Sequence, residues 1–523
     1  MAMIARAALG VLFGCVLAVG ARAQDLTIAL AAAPSSADPH YHNLGPNNAQ
    51  ARHIFDRLVD SDEKQRPIPG LATSWRALDE NVWEFKLRQG VKFHDGTPFT
   101  ADDVVFSFER AGNVPNSPSS FGLYTKGKTV TKVDDHTVRI ATAAPYPLMV
   151  NEVATISIVS KKLAEGASTE DYNAGRAAIG TGPFRLVEFK SGEHTLLEAN
   201  GDYWGPKPIW RKVALKPIVS GPSRVAALLA GDVDLIEEAP TTDIAHLKKD
   251  PKINVSQGLS NRVIYLHMDH QNDNSPFITD KAGKPLARNP LKDLRVRKAI
   301  SKAINREGIV ARVMEGVAVP AGQFLAEGFF GHSPDPRLAP EKFDLEGAKK
   351  LLADAGYPNG FAMTIHGPSG RYINDAKILE AIAPMLTRVG IDTKVEVFPF
   401  NVFISRATKL EFSFFLVGWG SGTGEVSSPL RSLVGTYDKD TGRGASNRGR
   451  YSNPAVDKLL DEALATIDDG KREKLLQQAV ELSILDLGII PLHYQVNSWA
   501  AKKGLRYAVR TDEATLAMSV ERE

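Results

Sequence analysis

The clearest periodic signal in the chain is alternation. Over 82–88 the sequence runs Val-Trp-Glu-Phe-Lys-Leu-Arg, with Trp83, Phe85 and Leu87 on one side and Glu84, Lys86 and Arg88 on the other. A period of two predicts a half-buried strand. A turn at Gln89-Gly90, a short strand over 91–93 and the loop His94-Asp95-Gly96-Thr97-Pro98 follow. Thr100 then caps a helix starting at Ala101, with Asp103 placed where the helix dipole favours a carboxylate. Val104, Val105, Phe106 and Phe108 form its apolar side. Further strands are predicted over 182–189 and 194–198.

The second half of the chain reads in a helical period. Asp293 precedes Val296, Ala299, Ile300, Ala303 and Ile304, spaced as one face of a helix. Asp344 precedes a second such face, Ala348, Leu351, Leu352 and Ala355, stopped by Gly356 and Pro358. A strand over 361–365, a helix over 374–389 ended by Gly390, and a strand over 393–397 form one unit. A third strand over 412–417 leads into the loop 418–424, and Asn453-Pro454 opens a helix carrying Val456, Leu459, Leu460 and Leu464. Alternating strands and helices predict α/β layers around a mostly parallel sheet.

The N-terminus has a different character. One positive charge before residue 7, an uncharged apolar run over 7–20, and Ala21-Arg22-Ala23 have the three-part layout of a secretory signal over 1–23. The run falls short of the ~20 apolar residues that span a bilayer. Cys15, after Leu12-Phe13-Gly14, is the competing lipidation site, and it is the one cysteine in the sequence. The mature chain therefore has no thiol for disulfides, nucleophilic catalysis or metal ligation. A chain of 523 residues can bury enough surface to manage without disulfides, and its length suggests two to four domains. Losing Arg6 and Arg22 takes the formal charge from +2 to neutrality, and no basic block with interleaved aromatics marks a nucleic-acid surface.

In α/β sheets ligands bind outside the carboxyl ends of strands. Two loops with unusual content leave such ends. His366-Gly367-Pro368-Ser369-Gly370-Arg371-Tyr372 offers a guanidinium fork suited to a carboxylate or phosphate. Gly418-Trp419-Gly420-Ser421-Gly422-Thr423-Gly424-Glu425 sets an indole between glycines, where a ligand can approach closely. A surface ion pair for Arg371 and an interdomain core position for Trp419 are the competing uses. His40-Tyr41-His42 with His53 is a loose metal-like grouping without a third fixed ligand. His94-Asp95 and His493-Tyr494 are the nearest approach to a catalytic dyad. No Gly-x-Ser-x-Gly, Walker or His-Glu-x-x-His motif accompanies them.

Several blocks carry a resemblance. They are Leu71-Ala72-Thr73-Ser74-Trp75 through Phe93-His94-Asp95-Gly96-Thr97-Pro98 to Ser107, and Gly180-Thr181-Gly182-Pro183-Phe184 with Tyr203-Trp204-Gly205. Asp293 to Ile300, Tyr451-Ser452-Asn453-Pro454 with Asp457 to Leu460, and Trp499-Ala500 with Lys503-Gly504-Leu505 follow in order. Together they resemble the peptide/nickel family of bacterial extracellular solute-binding proteins (family 5, cluster C).

The resemblance implies an α/β, type II-like periplasmic-binding-protein fold: a Venus flytrap with an additional third domain. Lobe I would comprise 24–57, 210–268 and 490–523, lobe II, the added domain, 58–209, and lobe III 269–489. A hinge near 263–268 and 489–495 would let lobes I and III close on a solute. The implied role is non-enzymatic: a periplasmic monomer, with no cofactor, metal or nucleic acid, that passes a small polar solute to an inner-membrane ABC permease. A peptide or peptide-like acid is the expected solute. An opine-like conjugate, an oligosaccharide, or a metal or heme complex is the alternative, and a secreted hydrolase the distant one.

By the same resemblance, Arg371 meets the ligand carboxylate, beside Trp419 and Gly420. Dipeptide-binding members carry an aspartate where this chain has Gly422, which leaves the ligand's amino group without its usual partner; Glu425 is the nearest carboxylate. His40 and Tyr41 at the end of the first strand, and Tyr494 and Gln495 beside the second hinge crossing, complete the candidates.

Overall fold

Apolar residues at every second position pull distant parts of the chain into one sheet. In the computed structural model, which describes residues 24–523, Leu26, Ile28 and Leu30 of the strand Gln24–Leu30 face one core while Ala29 faces another. The leader expected over 1–23, and Cys15 with it, lie outside the described residues. The strand belongs to a twelve-stranded sheet that also takes in Trp210–Pro217, Leu235–Ile236, Ile253–Met268, Phe361–Ser369, Phe414–Gly420 and Ile490–Lys502.

That sheet is mixed, not mostly parallel as predicted. Parallel pairing is confined to Gln24–Leu30 with its neighbours Trp210–Pro217 and Leu235–Ile236, and to Phe361–Ser369 with Ile391–Pro399 and Phe414–Gly420. The remaining ladders are antiparallel. Parallel neighbours need a crossover, whereas hairpins and long returning strands pair antiparallel directly. The hairpin Phe184–Lys190 and His194–Ala199 is one such case, and it extends the large sheet beyond Trp210–Pro217.

Two long strands hold the sheet together. Ile253–Met268 and Ile490–Lys502 pair from Ile253 opposite Lys502 to Leu266 opposite Ile490, and their register shifts between Leu259 and Val263. On one side of the shift, Ile253, Trp499, Ala500 and Ala501 join cores built around Trp210 and Val225. On the other, Val263, Ile264, Leu266 and Leu492 join the large core around Phe361, Leu379 and Phe415. One ladder therefore enters separate cores on either side of this irregularity, and a second shift follows between Ile264 and Tyr265.

A second sheet, in the order Ala72–Ala77, Val82–Leu87, Thr137–Thr142, Lys128–Asp134, has its own core of Phe85, Leu87, Val138 and Ile140 against Phe99, Val104 and Phe108. The helix Ala101–Ala111 begins as predicted, with the Thr100 amide donating to Asp103 at 2.9 Å. Glu84 departs from the expected polar face. It is buried because Arg76 (3.2 Å) and Arg139 (3.0 Å) donate to it and their stems cover it. No strand forms over 91–93; Lys92 and Pro98 make an isolated bridge instead.

The unit that carries Arg371 is a strand Phe361–Ser369, a helix Asp375–Thr387 and a parallel strand Ile391–Pro399. Gly360 (φ +71°) is packed so tightly that an added Cβ would lie 1.8 Å from the Gly390 carbonyl, whereas Gly356 (φ +93°) has nothing within 4 Å. Gly356→Ala should lose roughly 1–3 kcal/mol from left-handed strain alone. Gly360→Ala should lose clearly more, because the backbone must also separate. Urea denaturation of both variants measures the difference, and equal losses would refute the packing argument.

Candidate functional site

The register shift leaves Ser260, Asn261 and Arg262 outside the ladder to Ile490–Lys502, and each finds another partner. Arg262 donates through Nε (2.9 Å) and Nη2 (2.6 Å) to the two carboxylate oxygens of Glu513, which also accepts from Ser260 Oγ at 2.7 Å. Gln495 Nε2 donates to the same carboxylate at 3.0 Å. Burial pushes the Glu513 carboxyl up, but the Arg262 charge, the hydrogen bonds from Arg262 and Ser260, and the Arg371 charge together bring the net shift down. Asn261 Nδ2 donates to the Ser421 carbonyl and to Gln65 Oε1, both at 2.8 Å. Gln65 Nε2 donates to the Ser421 carbonyl at 3.2 Å. These contacts bring the strand irregularity, the Gly-Trp segment and the turn at Gln65 to one place.

Arg371 stands at the carboxyl end of Phe361–Ser369, which runs four residues further than predicted and absorbs His366 to Ser369. The turn that follows is organised by Asp375. Its carboxylate accepts from the amides of Gly370 (3.2 Å), Arg371 (2.9 Å) and Tyr372 (3.0 Å) at the start of the next helix. The exposed Arg371 guanidinium lies 5.2 Å from the Tyr372 ring centre and 5.3 Å from that of Phe400, a cation–π arrangement. No side-chain hydrogen bond or ion pair occupies it among the described residues. Asn374, in the left-handed region at φ +58°, donates across to Thr241 Oγ1 (3.0 Å) and to the Val313 carbonyl (2.8 Å).

The Gly-Trp segment is also more regular than predicted. The strand Phe414–Gly420 includes Trp419 and Gly420, which pair with Val263 and Arg262. A Cβ on Gly418 would lie 2.7 Å from Ile264 and 2.9 Å from the Tyr372 ring, so glycine is what lets Tyr372 pack there and donate to the Gly418 carbonyl at 3.2 Å. Trp419 is half-buried, packs on the large core and donates from Nε1 to Ser428 at 3.2 Å. Gly422 is exposed, and an added Cβ would meet nothing nearer than the Tyr124 hydroxyl at 3.5 Å. Glu425 is 2% exposed and accepts twice from Arg472, at 2.8 and 3.0 Å, as well as from Ser427. The carboxylate nearest to Gly422 in sequence is thus held inside the protein as half of a buried ion pair.

Tyr372, next to Arg371, meets Gly418 of the Gly-Trp strand, Asn261 meets the Ser421 carbonyl, and Gln495 lies at the Arg262–Glu513 pair. The structure does not bring the other candidates there. His40 is fully buried, with Nε2 on the Ser157 carbonyl (2.8 Å) and Nδ1 accepting from Arg110 (3.1 Å); burial, with Arg110 adding to it, lowers its pKa to about 4. Tyr41 lines a different cavity of about 790 Å³ with Ser35, Arg110 and Asn113. Tyr494 is buried and donates to the Gln323 and Leu325 carbonyls at 3.1 and 2.9 Å. His53 meets the Ala49 carbonyl and the Ala517 amide, while His94 meets the Gly182 carbonyl and the Gly180 amide.

Sequence reasoning missed Arg262, Glu513 and Glu238. For Glu238 a signal existed, two acids directly after the apolar run ending at Ile236. Glu238 is solvent-exposed although protein walls surround it. Burial and the Glu513 charge raise its pKa, against the pull of Arg224, Arg371 and Arg262.

Comparison with known proteins gives a consistent picture. The family described as bacterial extracellular solute-binding proteins, family 5 (middle region), matches residues 66–441. The chain is 30% identical over 459 residues to heme-binding protein A of Haemophilus influenzae, covering 83% of this chain and 80% of that one. It is 28% identical over 492 residues to the dipeptide-binding protein of Escherichia coli, covering 88% of each. The solved structure of the periplasmic binding protein DppA from Helicobacter pylori with the peptide STSA superposes with a TM-score of 0.77 at 27% identity, over 95% of this chain and 98% of that one.

Glu425 and Gly422 make opposite predictions. Glu425→Ala leaves buried Arg472 with only the exposed Asp469 as an ionic partner, at 3.0 Å, and should lower unfolding stability by about 3–5 kcal/mol in guanidinium titrations. Gly422→Asp, with open space around it, should stay within about 0.5 kcal/mol of the wild type. A small loss at Glu425 would show that its ion pair with Arg472 is not structural.

Proposed function

The chain belongs to family 5 of the bacterial extracellular solute-binding proteins, and from that premise we propose that it captures a small, acidic, peptide-like solute in the cleft around Arg371. The observation that carries this reading is the unpaired guanidinium of Arg371, offered by a turn whose backbone is already tied to Asp375. A charged fork fixed before the ligand arrives avoids part of the ordering cost of binding. Relatives named for dipeptide and for heme binding resemble the chain over most of its length.

In this reading the protein is an exported monomer in the periplasm, not an enzyme, and it hands its solute to an inner-membrane ABC permease. Lobe III is 269–489, and the added lobe II runs from 58 to about 158. The stretch 159–209 joins 24–57, 210–268 and 490–523 in lobe I, a division supported by the pairing of His194–Ala199 with Trp210–Pro217. The hinge lies where the two long strands cross between cores, near 263–268 and 489–495. The Asn374–Thr241 hydrogen bond spans the two walls that would close.

Native mass spectrometry of the purified protein should identify a retained acidic solute. Arg371→Ala should then weaken its binding by about 2–5 kcal/mol in calorimetry, with the melting temperature little changed because the exposed side chain has no hydrogen bond or ion pair and only ring contacts with Tyr372 and Phe400. Unchanged affinity would remove Arg371 from the site.

A further inference from the structure

Two features leave an amine-bearing ligand without a partner on the Gly-Trp segment: Gly422 has no side chain, and Glu425 is committed to Arg472. The opposite wall holds three other carboxylates. Glu513 is occupied by Arg262, Ser260 and Gln495. Glu237 accepts from the Ala31 amide at 2.7 Å, and burial with the neighbouring Glu238 charge raises its pKa to about 7. Glu238 has no side-chain hydrogen bond and no cation within 4.0 Å among the described residues.

The backbone around Glu238 is held from several directions. It follows Leu235–Ile236, which pairs with the end of Gln24–Leu30. Arg224, itself buried, donates to the carbonyls of Glu237 (3.1 Å) and Glu238 (3.0 Å), and the Ala239 amide donates to the Ser498 carbonyl at 3.0 Å. Three residues further on, Thr241 accepts from Asn374, itself three residues after Arg371. That single contact sets the turn of Glu238 against the turn of Arg371. The Arg371 charge favours the ionised Glu238 carboxylate, yet the two do not approach within ion-pair distance.

We propose that Glu238 is the cation-binding group of this cleft, so that the solute is a zwitterion held by its carboxylate on Arg371 and by its ammonium on Glu238. The proposal rests on the cleft reading above and narrows its ligand class to acids with a free amine, such as short peptides or amino-acid conjugates. Opposite charges kept apart on facing walls, each with no protein partner, match a molecule carrying both complements. A salt bridge between them would instead have consumed both. Because the two groups lie on different walls, neither wall alone recognises both ends, and full affinity needs the walls together. Arg262 and Glu513 cancel each other beneath them, so the field in the cleft is dominated by Glu238 and Arg371.

The test is titration calorimetry of the mature wild type and Glu238→Gln with tri-alanine, N-acetyl-tri-alanine and tri-alanine amide. The wild type is expected to bind tri-alanine at least about thirtyfold more tightly than the acetylated peptide. It should also prefer the acid to the amide. Glu238→Gln should lose the first preference and keep the second. Equal wild-type affinity for free and acetylated peptide, or retained discrimination in Glu238→Gln, overturns the proposal. If, in either of those two cases, the acid-over-amide preference is still seen, the assignment of Glu238 alone falls and the reading of Arg371 stands. Failure of all three peptides to bind the wild type overturns both. The wild-type comparison needs no mutant, so a folding defect in Glu238→Gln would not mask the answer.

Discussion

The site depends on the first of two register shifts in one ladder. Had Ile253–Met268 paired with Ile490–Lys502 in continuous register, Ser260, Asn261 and Arg262 would have spent their backbone groups on a neighbouring strand. The shift between Leu259 and Val263 releases them, and irregularities of this kind add local twist and re-aim side chains. The consequence is a polar knot at the junction of separately packed cores. Glu513 neutralises Arg262 there, and Asn261 ties the Gly-Trp strand and Gln65 to the same point. Buried polar groups are tolerable chiefly when paired, and the Glu513 carboxylate and the Asn261 amide of this knot are both paired.

Above the knot, small residues and one acid do the positioning. Gly418 lets Tyr372 lie against its strand, and Asp375 collects the amides of the preceding turn. Neither residue needs to touch a ligand. Each removes conformational freedom from the segment that presents Arg371, and freedom removed before binding is not lost on binding. Stacking on Tyr372 and Phe400 restrains the guanidinium further without occupying its donors.

Local signals survived translation into structure better than long-range ones. Asp293, Asp344 and Asn453 cap the helices they were expected to cap, because a capping acceptor acts on amides two or three residues away. Strand ends were misjudged where a glycine or proline suggested a loop. Pro368, Gly418 and Gly420 all lie within strands, since their neighbours complete the ladders. The sheet's direction could not be read from alternation, because helices cross over at only part of its width. Arg371 lies in the turn expected of it, whereas Trp419 lies within a strand. The fate of Glu425 was not legible, since its partner Arg472 lies on a helix 47 positions further along the chain.

The same physics separates the acids of this protein into two kinds. Glu425 and Glu513 each face an arginine, and their attraction is strong because water is largely excluded around them. Such pairs are self-cancelling; they fix geometry but leave little field for a ligand to feel. Glu238 and Arg371 are the reverse case, charges held on rigid backbone and left without protein partners. Their surroundings still reach solvent, so neither pays the full cost of burial while the cleft is hydrated. Removing that water, which closing walls would do, makes an unmatched charge expensive and a matched one favourable. Discrimination between solutes then comes less from attraction to the right one than from the penalty of burying Glu238 or Arg371 beside a wrong one.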